Sequence, residues 1–294
     1  TTEIYTLSLH DALPIFALQQ SRVDLITAYQ NFFSSLKGQR TGAKVGFPKF
    51  HKKGQKNSYR TLNNNNTIRL DYRWTKLRLP KLGWVNYKDG GREWSGTICS
   101  VTVSRTPSGK YFASVLFEQD LDLNGVEITS DMKVIGLDMS LQNFYVDNLG
   151  NSPEYRRPYR SNEQRLAHYQ KKLSKKQKGS KNREKARVKV ARVHEKITNS
   201  RRDFVHKLSS ELVKEYDAVV VENLSLKGMS QALHLGKSVM DLGYSEFVRQ
   251  LQYKALWSNK TFIRADRWFA SSKTCSVCGY TKRDLQLEIG RAHV

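Results

Sequence analysis

The amino-acid sequence predicts a multi-domain α+β protein: a small antiparallel β-barrel with a helical segment before it, then an α/β domain with a mixed sheet. Three observations carry this expectation. The chain has 294 residues, enough for two or three modules and a sizeable core. From Ser58 to Gln119, apolar and polar residues alternate between clusters of turn formers. From Lys133 onward, strand patterns alternate with helical ones, the order that builds a layered α/β domain.

Phe16 to Leu36 reads as a helix, with Leu18, Leu25, Tyr29, Phe32 and Leu36 on one face and Gly38 as its stop. Gln39 to Asn57 is a basic loop anchored by Val45, Phe47, Pro48 and Phe50, either a nucleic-acid contact or a solvated loop. Ile68, Leu70, Leu77 and Leu79 alternate with polar residues in the next strands. Ile98, Val101 and Val103 do so in part, and so does the run Tyr111 to Phe117. Asn63 to Asn66, Asp89-Gly90-Gly91 and Pro107-Ser108-Gly109 supply turns, so a small barrel or sandwich is expected, with Cys99 as a buried small hydrophobe.

In the second half, strands run from Lys133 to Met139 and from Phe144 to Asp147, then a turn at Asn148 to Asn151 and a third strand. Ser161 is the expected cap of a helix bearing Leu166, Tyr169 and Leu173. Lys178-Gly179-Ser180 interrupts it, and helical spacing resumes at Val190, Val193 and Ile197 and continues through Val205, Leu208 and Leu212. The span 161–215 therefore reads as a basic helical hairpin and a following helix. A strand from Ala218 to Glu222, a helix from Tyr244 to Trp257 with Phe247, Leu251 and Ala255 on one side, and a strand from Thr261 to Arg267 complete the pattern.

Charge indicates the partner. Lys plus Arg number 50 against 27 acids, a formal net charge of +23, and 14 Tyr, 12 Phe and 5 Trp are available to stack on bases. Between Arg156 and Lys207 stand 19 bases and only four acids, Glu163, Glu184, Glu195 and Asp203, so the charge is clustered, not diffuse. Lys171, Lys172, Lys175, Lys176, Lys181, Arg183, Arg187, Arg201 and Arg202 are the candidate nucleic-acid contacts. No stretch approaches the ~18 apolar residues a membrane span needs. Three cysteines do not make a secreted disulfide scaffold, so a cytoplasmic, nucleoid-associated protein is expected.

Two carboxylates carry the chemistry. Asp138 closes the apolar run of VIGLD, and Glu222 follows three valines in AVVVE. A carboxylate at the end of a buried strand needs a cation or a hydrogen-bonding partner. Two that meet at the strand ends of one sheet make a site for a hard divalent ion such as Mg²⁺, the arrangement of an RNase H-like nuclease. The rival reading of Asp138 is a cap or turn former, and of Glu222 an exposed structural residue. Asp266 is a tempting third acid, but Arg264 and Arg267 beside it favour a structural pairing; Asp284 reads as solvated.

Cys275-Ser276-Val277-Cys278-Gly279 has the shape of a zinc knuckle. A structural Zn²⁺ needs four ligands, so the pair reads as half of a zinc site, with a redox pair as the alternative. Gly236-Lys237-Ser238 only mimics a phosphate-binding loop, because Gln231 stands where that motif needs Gly. His194 and His206 face solvent or phosphate in this reading. The two ends, Thr1 to Ile15 and Glu288 to Val294, read like translated sequencing-library adapter, and a secretory signal is rejected because Asp11 and Pro14 interrupt the apolar stretch.

The stretches ALQQSRVDLITAYQNFF, KVGFPKF, LPKLGWV, SVTVSRTPSGKYFASV, VIGLDMSLQNFYVD, VVVENLSLKGM and DRWFASSKTCSVCG together resemble the TnpB (OrfB) family of transposon-encoded RNA-guided endonucleases. The resemblance implies a wedge-type barrel at 58–130 after the end of a helical recognition lobe at 16–57. It further implies a RuvC-like nuclease domain at 131–273 and the first half of a zinc-ribbon at 274–287. It makes Asp138 and Glu222 the first two catalytic, Mg²⁺-holding carboxylates, and Cys275 and Cys278 the first zinc pair. Guide RNA and double-stranded target DNA become the expected partners. Met139-Ser140 stands where many members have Leu-Gly. The third carboxylate and the second cysteine pair are expected beyond Leu287, which makes this chain a truncated, inactive copy. A non-catalytic nucleic-acid-binding regulator of transposition is the alternative, and a strand-transfer transposase a third possibility that the barrel and the late zinc pair argue against.

Overall fold

A computed structural model describes residues 15–50, 57–120, 129–225, 236–266, 274 and 280. The chain divides into two compact units, Thr1–Leu121 and Asp122–Val294.

The first unit opens with α1 (Ile15–Leu36). Ala17 and Gln20 are its buried residues, and its aromatic end, not the expected leucine stripe, meets the basic loop. Phe47 of the basic loop sets its ring edge-on to Tyr29 at 5.5 Å and to Phe32 at 5.3 Å, while Leu25 and Leu36 are exposed. The strands are β1 (Ser58–Leu62), β2 (Arg69–Asp71), β3 (Lys76–Leu79), β4 (Gly83–Asn86), β5 (Thr97–Arg105) and β6 (Tyr111–Glu118). They make two three-stranded antiparallel sheets, β1-β5-β6 and β2-β3-β4, not the closed barrel expected. Strands of three or four residues in the second sheet are too short to reach round and close. The sheets instead share a core, Ile68, Leu77 and Leu79 packing with Val101, as in a small sandwich. Asn63 joins them: its backbone N–H and Nδ2 donate to the carbonyls of Cys99 and Ile98, and its Oδ1 accepts from Ile68 N at 2.7 Å. Cys99 sits at the register shift of β5 and is only half-buried, which corrects its expected place in the core.

The second unit contains β7 (Val134–Ser140), β8 (Phe144–Asp147), α2 (Pro158–Ser174), α3 (Lys181–Glu215), β9 (Ala218–Val221), α4 (Gly236–Leu242), α5 (Tyr244–Trp257) and β10 (Thr261–Arg264). One sheet of order β10-β9-β7-β8 forms, β7/β8 antiparallel and β7, β9 and β10 mutually parallel. The expected third strand after Asn151 is absent among the described residues: 151–157 is irregular, and Pro153 and Pro158 lack the N–H a ladder needs. The expected hairpin plus separate helix is a hairpin whose second arm is one 35-residue helix. Its first half packs Val193 and Ile197 against Leu166 of α2, and its second half sends Val205, Leu212 and Val213 to the core with the sheet and α5. Ser180 caps α3 by accepting from Arg183 N at 3.1 Å, after Gly179 takes the left-handed φ of 85° that the turn requires.

Candidate metal centre and nucleic-acid interface

β7 is apolar because it lies between two strands. Ile135 and Leu137 are 2% and 3% exposed, and in β9 Ala218, Val219 and Val221 are buried as well. The parallel register runs Val134↔Ala218 to Leu137↔Val221. One step further along both chains come Asp138 and Glu222, so their side chains leave the sheet side by side. The two carboxyls are in hydrogen-bond contact. Two carboxyls can share such a bond only with one proton between them. Burial first, then the Asp138 charge and the hydrogen bond to it, push the Glu222 carboxyl up to about 7. The expectation that both acids are withdrawn from water holds for Glu222, which is half-buried, and not for Asp138, which is exposed.

The hairpin after Asp138 is fixed locally. Ser140 Oγ accepts from the backbone N–H groups of Gln142 and Asn143 at 3.2 and 3.1 Å, and Arg157 Nη2 donates to the Leu141 carbonyl at 2.7 Å. Ser140 thus serves the turn as well as being small. Phe144 returns the chain with φ 77° and buries its ring completely, in contact with Tyr155, Phe204, Tyr244 and Phe247. Tyr244, which sequence reasoning places only as the start of a helix, packs in the same core as Phe144 and Phe247. Its ring is 2% exposed, and its hydroxyl is buried without a hydrogen-bond partner among the described residues. Burial, then the charges of Glu222 and Asp138, hold that hydroxyl above the ordinary phenol range.

Among the described residues no group of three or more His, Cys, Asp and Glu stands together, so the pair has no described third acid. Asp266 follows β10, whose last register pair is Arg264↔Val221; Ala265 N donates to the Val221 carbonyl. It is therefore Ala265, not Asp266, that comes level with Glu222. Cys275, Cys278 and Asp284 lie outside the described residues, as does Gln231 of the rejected phosphate-loop motif. Two hard oxygen donors at one edge fit a divalent cation of the Mg²⁺ kind.

The basic side chains divide into two sets. Lys171, Lys172, Lys175, Lys176, Lys181 and Arg202 are exposed on the hairpin and on α3. Arg183 and Arg201 are committed to the fold: Arg183 Nη1 donates to the Leu173 and Lys176 carbonyls at 3.1 and 2.9 Å, and Arg201 Nη1 to the Met240 carbonyl at 2.7 Å. Arg187 is paired with Glu184. His194 and His206 are exposed, as expected. Sequence reasoning missed Asp241, 3% exposed, which accepts from Tyr159 N at 2.8 Å and Arg160 N at 3.3 Å. It caps α2, whereas the expected cap, Ser161, donates to the carbonyls of Arg156 and Arg157. Nothing local in the sequence marks a cap that arrives some 80 residues later.

A mixed α/β sheet with two carboxyls paired at the ends of parallel strands, beside an exposed basic hairpin, defines the class of this unit. The comparisons give the family. Residues 117–233 match the family model OrfB_IS605, described as "Probable transposase", and residues 244–293 match "Cas12f1-like, TNB domain". The chain is 30% identical over 289 residues to "Putative RNA-guided DNA endonuclease InsQ" of Escherichia coli (strain K12), covering 93% of this chain and 68% of that protein. It is 33% identical over 299 residues to "Putative RNA-guided DNA endonuclease" of Streptomyces pristinaespiralis, covering 98% of this chain and again 68% of the relative. A Cas12f1 chain solved with single guide RNA and target DNA aligns at 15% identity with a TM-score of 0.46, covering 88% of this chain and 63% of that one. The chain belongs to the TnpB (OrfB) family.

Proposed function

We propose that the protein to which this chain belongs is an RNA-guided, Mg²⁺-dependent DNA endonuclease associated with a transposon, and that Asp138 and Glu222 are two of its metal-holding catalytic carboxylates. The observation that carries this reading is the meeting of the two carboxyls one step past the β7/β9 register. The relatives' names point the same way. The four-stranded sheet is then the RuvC-like, RNase H-like domain, and the two-sheet unit the wedge-type domain. When bound, divalent ions would generate the attacking hydroxide and stabilise the leaving oxygen.

The chain's own residues hold and position. Glu222, half-buried, and Asp138, exposed, present oxygens where a phosphate can approach. Lys171, Lys172, Lys175, Lys176, Lys181 and Arg202 offer charge to the backbones of a guide RNA and a double-stranded DNA target, while base pairing supplies sequence choice. Cys275 and Cys278 would hold half of a structural Zn²⁺ site. A cytoplasmic, nucleoid-associated location follows from these partners, and no helix among the described residues is long and apolar enough to cross a membrane. Because only two acids stand together among the described residues and two are thin for two ions, the 294-residue chain is proposed to bind nucleic acid without cutting. A second reading, a non-catalytic regulator of transposition, is favoured by one observation, the lack of a third acid beside the pair among the described residues.

The test is Mg²⁺-dependent cleavage of a matched double-stranded target. The longer gene, recovered by re-amplifying the source DNA across both ends, and the 294-residue chain are each purified with guide RNA. The longer protein is expected to cut and to lose cutting in Asp138→Ala; the 294-residue chain is expected to bind without cutting. Failure of the longer protein to cut favours the regulator. Asp138-dependent cutting by the 294-residue chain overturns its assignment as inactive.

A further inference from the structure

β6 is an edge strand. In the order β1-β5-β6 it pairs with β5 on one side, and no described strand lies on the other. An eight-residue row of unpaired N–H and C=O groups is a template for a further strand, and native edges are usually blunted by charge, proline or a bulge. Between Tyr111 and Phe117, β6 has none of these; the register shift of this ladder lies on β5, between Ile98 and Ser100. It presents apolar surface instead, with Tyr111 69%, Phe112 53% and Leu116 51% exposed.

Which backbone groups face the open side follows from the ladder. Thr106 N donates to the Lys110 carbonyl at 2.8 Å, and directly opposite residues of an antiparallel pair alternate between bonded and non-bonded. Phe112, Ser114 and Leu116 therefore bond to β5. The odd-numbered residues from Tyr111 to Phe117 turn their N–H and C=O groups outward. A further strand must set its own outward groups against them.

β6 meets that demand itself. Two copies run antiparallel about Ser114 place Tyr111 against Phe117 and Ala113 against Val115, all residues with outward groups. Between these pairs Phe112 faces Leu116, and Ser114 faces its own copy. Lys110 comes level with Glu118, so the two ends match in charge. A shift by two residues keeps the backbone bonds but sets Phe112 against Glu118, or Leu116 against Lys110. The register centred on Ser114 pairs apolar with apolar and base with acid throughout.

We propose that the open edge of β6 pairs with β6 of a second copy of this chain, joining two three-stranded sheets across a two-fold axis at Ser114. The interface is isologous: the same strand serves both copies, and pairing uses up the open edge of each, so assembly stops at the dimer. The occupant is a second copy because the side-chain order around Ser114 complements its own reverse.

The test uses the RNA-free 294-residue chain, in salt that screens its net charge of +23, by sedimentation velocity over a range of protein concentrations. Wild type is expected to pass from monomer to dimer as concentration rises. Phe112→Lys/Leu116→Lys should stay monomeric with an unchanged melting temperature, because both side chains are exposed. Cysteine cross-linking under mild oxidation reads the register, with wild type as the control for its own thiols. Ser114→Cys should give a covalent dimer, since a non-bonded antiparallel pair sets its Cα atoms about 4.5 Å apart, within disulfide reach. Phe112→Cys should not, because its two copies lie four residues out of step. Wild type that is monomeric at every concentration overturns the proposal. So does a dimer that survives both lysines, or one in which Ser114→Cys fails to cross-link. The longer protein, run in the same way, decides between occupants: if it stays monomeric and its Ser114→Cys variant does not cross-link, a segment of its own covers the edge and the second copy is overturned as the partner.

Discussion

Asp138 and Glu222 occupy equivalent places, one residue past the paired Leu137 and Val221 of parallel strands, and their carboxyls share a hydrogen bond. That relationship has a pH consequence. Glu222 titrates near 7 in the fold against an ordinary value of 4.5, so between those pH values the native state holds a proton that the unfolded chain has lost. Stability therefore falls as pH rises through this window, and the loss is complete above about 7. Burial of Glu222 sets it first, then the charge of Asp138 on β7 and the hydrogen bond to it. Because Glu222 is only half-buried, solvent screening reduces the effect to on the order of 1 kcal/mol. Glu222→Gln, which mimics the protonated acid, should melt higher than wild type at pH 8 and match it near pH 4.5. Melting curves of the two proteins across that range check this; a constant difference would remove the shared proton from the account.

The exposed hairpin lysines and the committed arginines should behave differently. Replacing Lys171, Lys172, Lys175 and Lys176 by Gln is expected to weaken RNA binding and flatten its salt dependence. The drop in slope should be roughly 0.7–0.9 per phosphate contact removed. Their side chains are exposed, so the melting temperature should stay within a degree or two. Arg183→Gln should do the reverse, because it strips the donors from the Leu173 and Lys176 carbonyls at the hairpin turn. Binding isotherms at several salt concentrations, with melts of the same proteins, separate the two sets. Equal loss of affinity in Arg183→Gln would return that residue to the interface.

Asp241→Ala should destabilise the second unit. The carboxylate is 3% exposed and accepts from two backbone N–H groups at the start of α2, where the helix dipole also favours its charge. Losing a cap of this kind costs about 0.5–2 kcal/mol. Asp241→Asn keeps one acceptor and should cost less. Amide exchange at Tyr159 and Arg160 reports the loss directly, since those two protons should exchange faster in the alanine variant. Unchanged protection there would mean that water replaces the carboxylate without penalty.

How much of this was legible beforehand depends on the range of the interaction. The strand β9 and its terminal Glu222 could be read because three consecutive valines mark a strand buried on both faces. The face of α5 was readable from Phe247, Leu251 and Ala255, all of which are fully buried. The register that brings Asp138 level with Glu222 could not be read, since β7 and β9 are separated by the whole of α2 and α3. For the same reason Ser161 looked like the cap of α2 while Asp241 holds that place. Tyr244 carried no signal of its own: its spacing is that of any core aromatic, and only the position of its oxygen distinguishes it. In the first unit the alternation marks the strands, but not whether they close, because strands as short as β2, β3 and β4 carry no record of which edges pair.

Gly243→Ala tests how the start of α5 is set. A Cβ there would lie 2.6 Å from Arg201 Cδ, and φ is 66°, so the substitution meets both a contact and an unfavourable backbone region. Arg201 cannot simply move aside, because its Nη1 is hydrogen-bonded to the Met240 carbonyl just before the same turn. The backbone conformation alone costs roughly 1–2 kcal/mol for an L-residue. Relief of the contact must come either from breaking the Arg201 bond or from shifting the first turn of α5. The first outcome lowers the melting temperature and leaves the Tyr244 ring in its cluster; the second also displaces that ring against Phe144 and Phe247. The expected result is the second, since Tyr244 directly follows the strained residue and its ring has a cluster to slide against. Melts and near-ultraviolet circular dichroism of Gly243→Ala decide it, since only the second outcome changes the aromatic packing, and a variant as stable as wild type would show that the turn tolerates a side chain the geometry forbids.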